Sequence, residues 1–160
     1  MLKLFNKNKK EKITLNAISK GTIIPLEEVN DPVFSTKMMG DGISIDIEDD
    51  TICSPIDGKI TLIAQTLHAF GIVADNGAEV MVHIGLDTVH LNGEGFTKLV
   101  EQGTYVKKGQ PIIKIDKMFM KEKSINLITP VLVLNGKDHP FKKIVNEGCV
   151  TTSDSIIEFE

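Results

Sequence analysis

Apolar and polar residues alternate along most of the chain after Ile13, and turn-forming residues interrupt the alternation at short intervals. A period of two places every second side chain on one face of a strand, whereas an amphipathic helix needs apolar residues three and four positions apart. The pattern therefore predicts a mostly β chain. The predicted strands are Ile43–Ile47, Ile60–Ala64, Ala69–Ala74, Glu79–Ile84, Pro111–Ile115, Ile125–Thr129, Val131–Leu134 and Ile156–Phe159.

Two segments have a more helical character, Thr97–Glu101 and Lys117–Lys123, but neither is long enough to organise a fold. Many short strands separated by Gly and Pro turns favour a closed or sandwiched antiparallel architecture, because such an architecture hides the strand edges. We therefore predict an all-β fold, an antiparallel β-sandwich or flattened barrel with a few short helical turns.

The length of 160 residues, with 41% hydrophobic and 25% charged residues, fits one domain with a single core. No segment approaches the roughly 20 consecutive apolar residues that cross a bilayer, and no export signal follows the lysine-rich start. We expect a cytoplasmic protein in which residues 1–17 form a lysine-rich, flexible tail and residues 18–160 form the domain. A short helix that touches a membrane or partner through Leu2, Leu4 and Phe5 is the alternative for the start of the chain.

Charge is unevenly distributed: residues 1–12 carry a net charge of +4 and residues 13–160 carry −8. An acidic body argues against a nucleic-acid partner. All 18 basic residues are lysines, so the chain has no arginine to hold a phosphate with two parallel hydrogen bonds. Cys53 and Cys149 lie far apart without CxxC spacing, and we expect them to be free thiols.

Asn76 and Gly77 separate two alternating runs, which is a strong signal for a two-residue hairpin turn of type I′. In that register Phe70 faces His83, and His68 and His83 become diagonal neighbours on one face, roughly 7 to 8 Å apart at the backbone. A three-residue loop would shift the register and turn the side chains to the other face.

The same register sets the surroundings of the two imidazoles. Gly85 would lie opposite His68 and leave room beside it, while Phe70 and Met81 would add apolar walls.

A pair of neighbouring histidines suits phosphoryl transfer, because a neutral imidazole is nucleophilic at pH 7 and a second ring can hold a phosphoryl oxygen. No Gly-rich loop ending in GK[ST] indicates direct use of a nucleotide triphosphate. A zinc site that uses His68, His83 and Asp87 is the alternative chemistry, although the usual zinc hydrolase spacings are absent. The histidines could equally be ordinary strand residues with satisfied hydrogen bonds.

The segment around His83 resembles the signature of glucose-class enzyme IIA proteins of bacterial sugar phosphotransferase systems. It reads Gly77-Ala78-Glu79-Val80-Met81-Val82-His83-Ile84-Gly85-Leu86-Asp87-Thr88-Val89, and the preceding His68-Ala69-Phe70 is similar to the segment that carries the family's second active-site histidine. The resemblance extends over nearly all of the chain after about Ile18. It includes Val33-Phe34, Gly40-Asp41-Gly42, Ser54-Pro55-Ile56-Asp57-Gly58, Gly93-Glu94-Gly95-Phe96 and Thr129-Pro130-Val131.

The resemblance implies an antiparallel β-sandwich of the duplicated hybrid motif type that relays phosphate from phosphoenolpyruvate. The donor would be the histidine phosphocarrier protein, and the acceptor would be a cysteine on the IIB domain of a sugar permease. No cofactor or resident metal is implied.

The resemblance also implies roles for individual residues. His83 would be phosphorylated on Nε2, with Nδ1 bonded to the backbone near Gly85, while His68 would support the site and Thr66 would bond to His68. Asp31 and Asp87 match acidic residues that flank the site. The apolar ring on which partners dock would comprise Val33, Phe34, Met38, Met39, Met81 and Val89.

Overall fold

A computed structural model describes residues 11–160 of the chain, so the expectation for Leu2, Leu4 and Phe5 lies outside the described residues. Within that range the chain is built from short strands, two short α-helices and two 3₁₀ turns. The strands are β1 (Thr14–Asn16), β2 (Gly21–Pro25), β3 (Asp41–Ile47), β4 (Thr51–Cys53), β5 (Gly58–Ile63), β6 (Ala69–Ala74), β7 (Glu79–His83), β8 (Phe96–Lys98), β9 (Tyr105–Val106), β10 (Pro111–Ile115), β11 (Ile128–Val133), β12 (Phe141–Lys143), β13 (Cys149–Val150) and β14 (Ser155–Phe159). The helices are α1 (Pro32–Ser35) and α2 (Lys117–Glu122), and the 3₁₀ turns cover Leu26–Glu28 and Thr88–Leu91.

The strands form three antiparallel sheets, which confirms the predicted all-β sandwich class. The eight-stranded sheet has the order β13-β2-β3-β11-β7-β6-β5-β9, and the two three-stranded sheets have the orders β1-β14-β12 and β4-β10-β8. Strands β6 and β7 lie near the middle of the large sheet, so their backbones are paired on both sides. No helix within residues 11–160 has the length and apolar character needed to cross a membrane.

Two apolar clusters lie on opposite faces of β7, because successive side chains of a strand alternate between faces. Val80 and Val82 belong to the main core, which all three sheets contribute to. Met81 points the other way, into a smaller cluster with Leu26, Val29, Phe34, Leu86 and Leu132. We call this second group the outer cluster.

Several predicted elements match the structure and others do not. The helical prediction for Lys117–Lys123 is confirmed by α2, whose first turn is capped by the Asp116 side chain. The helical prediction for Thr97–Glu101 is wrong, since β8 pairs with β10 there.

The two strands predicted on either side of Pro130 are one strand, β11. Pairing of β11 with β7 begins only at Val131. Pro130 therefore lies where β11 has a single partner strand, and a residue without an N–H group is tolerated there.

The predicted boundary between tail and domain after Ala17 is too late. Strand β1 pairs with β14, and Leu15 and Ala17 are buried in the main core. The sandwich therefore includes residues from Thr14 onward.

The hairpin of β6 and β7 does not have the predicted type I′ turn. That turn needs a positive φ at both central residues, whereas only Gly77 has one, at 90°. The loop has three residues between Ala74 and Ala78, and Asn135 fixes it by donating from Nδ2 to the Gly77 carbonyl at 3.1 Å. As a result Ala69, rather than Phe70, lies opposite His83.

We predict that Gly77→Ala lowers the free energy of unfolding by about 1–2 kcal/mol, because a left-handed backbone is strained for alanine. The new methyl group would also lie 3.1 Å from the His139 ring. Denaturant unfolding measures the change. Gly71→Ala in the same hairpin is the control: its nearest neighbour would be at 3.5 Å, and alanine should maintain stability or raise it by about 0.5–1 kcal/mol. Equal losses in the two variants would contradict the assigned turn.

Candidate active site

His83 ends strand β7, and its Nδ1 lies 2.8 Å from the backbone carbonyl oxygen of Gly85. A carbonyl oxygen can only accept a hydrogen bond, so Nδ1 carries the hydrogen. In the neutral ring Nε2 then has the free lone pair. The local backbone therefore selects the tautomer in which Nε2 is the nucleophile.

The Gly85 carbonyl is held in place by the backbone conformation and by a neighbouring strand. Gly85 has a φ of 72°, and a Cβ there would lie 2.8 Å from the Thr88 side chain. Its N–H donates to the buried Thr129 hydroxyl on β11 at 3.2 Å, while that hydroxyl donates to the Leu127 carbonyl at 2.9 Å. The chain therefore needs glycine at this position.

The His68 ring contacts the His83 ring as predicted, but the structural cause of the contact differs from the predicted one. The two ring centroids are 4.9 Å apart and the rings are nearly perpendicular, at 77°. His68 precedes β6 and follows Leu67, whose φ of 59° is left-handed, and the His68 carbonyl accepts from the Ile84 N–H at 2.7 Å. The strained turn, rather than the predicted strand register, brings the two rings together.

Thr66 lies beside His68, as the resemblance implied. Its Oγ1 is 2.6 Å from Nδ1 of His68. A hydroxyl that donates to Nδ1 leaves the imidazole hydrogen on Nε2. In that arrangement His68 can donate a hydrogen bond from Nε2.

Phe34, and not Phe70, covers His83. Phe70 is fully buried in the main core opposite Val82. The Phe34 ring on α1 lies 5.0 Å from the His83 ring, centroid to centroid. The prediction that Phe70 walls the site is therefore wrong, because the one-residue difference in register turns Phe70 inward.

The six residues expected to form a docking ring divide into two groups. Phe34 and Met81 are buried in the outer cluster, so they do not offer a free surface. The other four are exposed by between 41% and 76%: Val33, Met38, Met39 and Val89.

Burial lowers the pKa of His83 below its ordinary value, although the Gly85 carbonyl and the carboxylates of Asp31 and Asp87 act in the opposite direction. Burial, followed by the neighbouring His83, also lowers the pKa of His68. Both rings are therefore held in the neutral form near pH 7. Asp31 caps α1 by accepting from the Val33 N–H at 3.0 Å, which places its carboxylate at the edge of the site.

The alternative of a zinc site with His68, His83 and Asp87 receives no support. Residues 11–160 contain no group of three or more His, Cys, Asp or Glu side chains arranged to hold a metal ion. The Nδ1 atom of His83 is also engaged by a carbonyl oxygen.

Thr129 and Phe34 have positions at the site that sequence reasoning did not assign. Thr129-Pro130-Val131 was part of the resemblance, but no pattern showed that the Thr129 hydroxyl holds Gly85. Phe34 was placed on the docking surface, whereas it packs against His83. Both contacts join residues that lie far apart in the sequence, so the periodicity of apolar residues cannot predict them.

The structure combines an antiparallel β-sandwich with two neighbouring imidazoles, one of which, His83, has its Nδ1 bonded to the backbone and its Nε2 free of that bond. The chain belongs to the EIIA 1 family of the phosphoenolpyruvate-dependent sugar phosphotransferase system, whose sequence model matches residues 13–139. It is therefore a phosphotransferase component of a sugar phosphotransferase system. Membership implies in general a phosphoryl donor of the histidine phosphocarrier type and a IIB acceptor.

Two relatives agree with this assignment. The chain is 45% identical over 135 residues to the PTS system glucose-specific EIIA component of Oceanobacillus iheyensis, a match that covers 84% of this chain and 81% of the relative. It is also similar to the solved structure of the glucose permease IIA from Mycoplasma capricolum, with a TM-score of 0.82 and 35% identity. That match covers 93% of this chain and 96% of the other.

We predict that the His83 ring titrates at a lower pH than an ordinary histidine, whose pKa is about 6.5. Unfolding then takes up protons below that pH, so the free energy of unfolding falls as pH decreases through about 6.5 toward the folded-state value. Titration followed by NMR of the imidazole protons measures the midpoint.

Phe34→Ala should raise this midpoint, because water reaches the uncovered ring. Leu99→Ala, an exposed site on a loop, is the control and should leave it unchanged. A wild-type midpoint at or above the ordinary value would contradict the role of burial.

Proposed function

We propose that His83 accepts a phosphoryl group on Nε2 from the histidine phosphocarrier protein and passes it to a cysteine on the IIB domain of a sugar permease. The observation that carries the proposal is the hydrogen bond from His83 Nδ1 to the Gly85 carbonyl, because it leaves Nε2 free and nucleophilic. The lowered pKa of His83 adds to this by keeping the ring neutral.

The transfer needs no base at His83. Nε2 attacks the phosphorus, the bond between phosphorus and the donor's nitrogen breaks, and its electron pair stays with the donor. The His83 ring becomes formally cationic because the hydrogen remains on Nδ1, where the Gly85 carbonyl stabilises it. In the second step the IIB thiolate attacks phosphorus, and the electron pair of the phosphorus–nitrogen bond returns to Nε2.

His68 would hold the phosphoryl group during both steps. The two ring centroids are 4.9 Å apart, so a hydrogen on His68 Nε2 lies within reach of a phosphoryl oxygen on His83. Thr66 would position that donor through its bond to Nδ1. The carboxylates of Asp31 and Asp87 would favour the cationic ring that forms on phosphorylation.

The relatives' names support a glucose-class permease as the acceptor system. We propose that the protein works in the cytoplasm, where the donor and a IIB domain are accessible. The exposed Val33, Met38, Met39 and Val89 would contact these partners.

Incubation with phosphoenolpyruvate, enzyme I and the phosphocarrier protein, followed by mapping of acid-labile phosphate, tests the proposal. We expect the label on the peptide that contains His83. Label elsewhere, or no label, would refute it.

We further predict that His83→Ala abolishes phosphate uptake, because only His83 forms the covalent bond. His68→Gln should still become labelled but should pass the phosphoryl group to IIB about 10²- to 10³-fold more slowly, the usual cost of losing one donor to a transition-state oxygen. Single-turnover transfer from the isolated, labelled protein measures this step. Complete loss of uptake in both variants would contradict the division of roles.

A further inference from the structure

The connection between β2 and β3, residues 26–40, lies over the face of the large sheet that carries the outer cluster. We call this connection the flap. Its Leu26, Val29 and Phe34 pack in the outer cluster, and the Phe34 ring also contacts His83. Within residues 11–160, no backbone hydrogen bond joins residues 29–39 to a strand. Side-chain contacts therefore hold this part of the flap on the sheet.

Four charged side chains meet at the base of the flap, and we call them the charge cluster: Glu27, Lys37, Asp41 and Lys143. Lys37 Nζ lies 2.9 Å from Glu27 Oε1 and 3.6 Å from Asp41 Oδ1. Lys143 Nζ, on β12, lies 2.7 Å from the same Asp41 oxygen and 3.7 Å from the same Glu27 oxygen. Opposite charges thus alternate around the cluster, which joins both ends of the flap to strands of two different sheets.

Lys37 has a backbone conformation that would suit glycine better. It follows Thr36, the C-cap of α1, and its φ of 60° is left-handed. Glycine is the usual residue at that position, because a Cβ there is strained. A strained residue persists where the surrounding structure fixes it. The lysine side chain has that role here through its contacts with Glu27 and Asp41.

We propose that Lys37 and Glu27 are positioning residues whose ion pair keeps the flap closed and Phe34 on His83, and that they thereby prolong the lifetime of the phosphohistidine. The inference rests on the proposed function. In hydrolysis a water oxygen attacks the phosphorus, the bond from phosphorus to Nε2 breaks and its electron pair returns to the ring. One water proton passes to solvent and inorganic phosphate leaves. An open flap admits water to the ring, so the rate of hydrolysis follows the population of the open form.

The ion pair persists over the whole physiological pH range. The hydrogen bond from Lys37 lowers the pKa of Glu27 to about 2, and the bond to Glu27 raises the pKa of Lys37 above its ordinary value. The side chains of Glu27 and Lys37 are 52% and 39% exposed, so dissolved ions screen their attraction. Ionic strength, rather than pH, is therefore the condition that weakens the pair.

The test compares Lys37→Gly with Ser124→Gly. Lys37→Gly removes the ion pair but relieves the left-handed strain, so the free energy of unfolding should not fall. Ser124 is the matched control, because it is exposed and follows the C-cap of α2 with a φ of 55°. Glu27→Gln removes the partner charge, and Lys37→Arg keeps the cation. Each protein is labelled on His83 and separated from the donor, and the loss of phosphate is followed with time.

We expect Lys37→Gly and Glu27→Gln to lose phosphate about threefold faster than wild type, since an exposed ion pair shifts a local equilibrium by roughly that factor. Lys37→Arg and Ser124→Gly should match wild type, and high salt should reduce the difference between Lys37→Gly and wild type. Wild-type rates in both Lys37→Gly and Glu27→Gln would overturn the inference and leave the proposed function intact. Equal acceleration in Ser124→Gly would overturn it too. Absence of label on His83 in wild type would instead refute the proposed function.

The titration midpoint of the unphosphorylated His83 ring is a second measurement, and it does not depend on the proposed function. An open flap exposes the ring to water, so the midpoint should rise in both Lys37→Gly and Glu27→Gln. The direct effect of charge differs, because loss of a cation raises the pKa of a histidine and loss of an anion lowers it. The titratable groups around His83 are the same in both variants: Asp31, Asp87 and His68. Midpoints that move in opposite directions would overturn the inference.

Discussion

The hydrogen bond between His83 Nδ1 and the Gly85 carbonyl is the interaction on which the proposed chemistry of this protein depends. Histidine has two nitrogens of similar basicity, and a free ring exchanges its hydrogen between them. A carbonyl acceptor two residues further along the chain removes that ambiguity without any other side chain. Backbone geometry consequently determines which nitrogen of His83 carries the hydrogen and which has the free lone pair that the proposed transfer uses.

The rest of the site serves to hold that carbonyl and to shield the ring. Gly85 can adopt its left-handed backbone conformation only because it is glycine. The buried Thr129 hydroxyl from β11 accepts a hydrogen bond from the Gly85 N–H and holds it in place. Phe34 covers one side of the imidazole and His68 meets another. These groups come from four separate segments of the chain. They surround the end of β7, and β7 is held rigid because it pairs with both β6 and β11.

Much of this could be predicted from the chain alone. The alternation of apolar and polar residues predicted the strands on either side of the hairpin that carries His83. The motifs around His68 and His83 indicated the family. The register of the hairpin could not be predicted, because Asn135 lies far along the chain and selects a three-residue loop where Asn76-Gly77 alone favours two residues. The meeting of His68 with His83 was expected for the wrong reason, since it depends on the left-handed backbone of Leu67. Local sequence patterns show which residues share a face of a strand. The hairpin register and the contact between His68 and His83 depend instead on tertiary structure.

The division of apolar residues between the main core and the outer cluster has an evolutionary consequence. The main core joins all three sheets and holds the fold together, whereas the outer cluster lies on the opposite face of β7, next to His83. Substitutions at the exposed Val33, Met38, Met39 and Val89 can reshape the surface offered to other proteins while both buried clusters stay in place. One sandwich can thus acquire new exchange partners while its folding determinants stay the same.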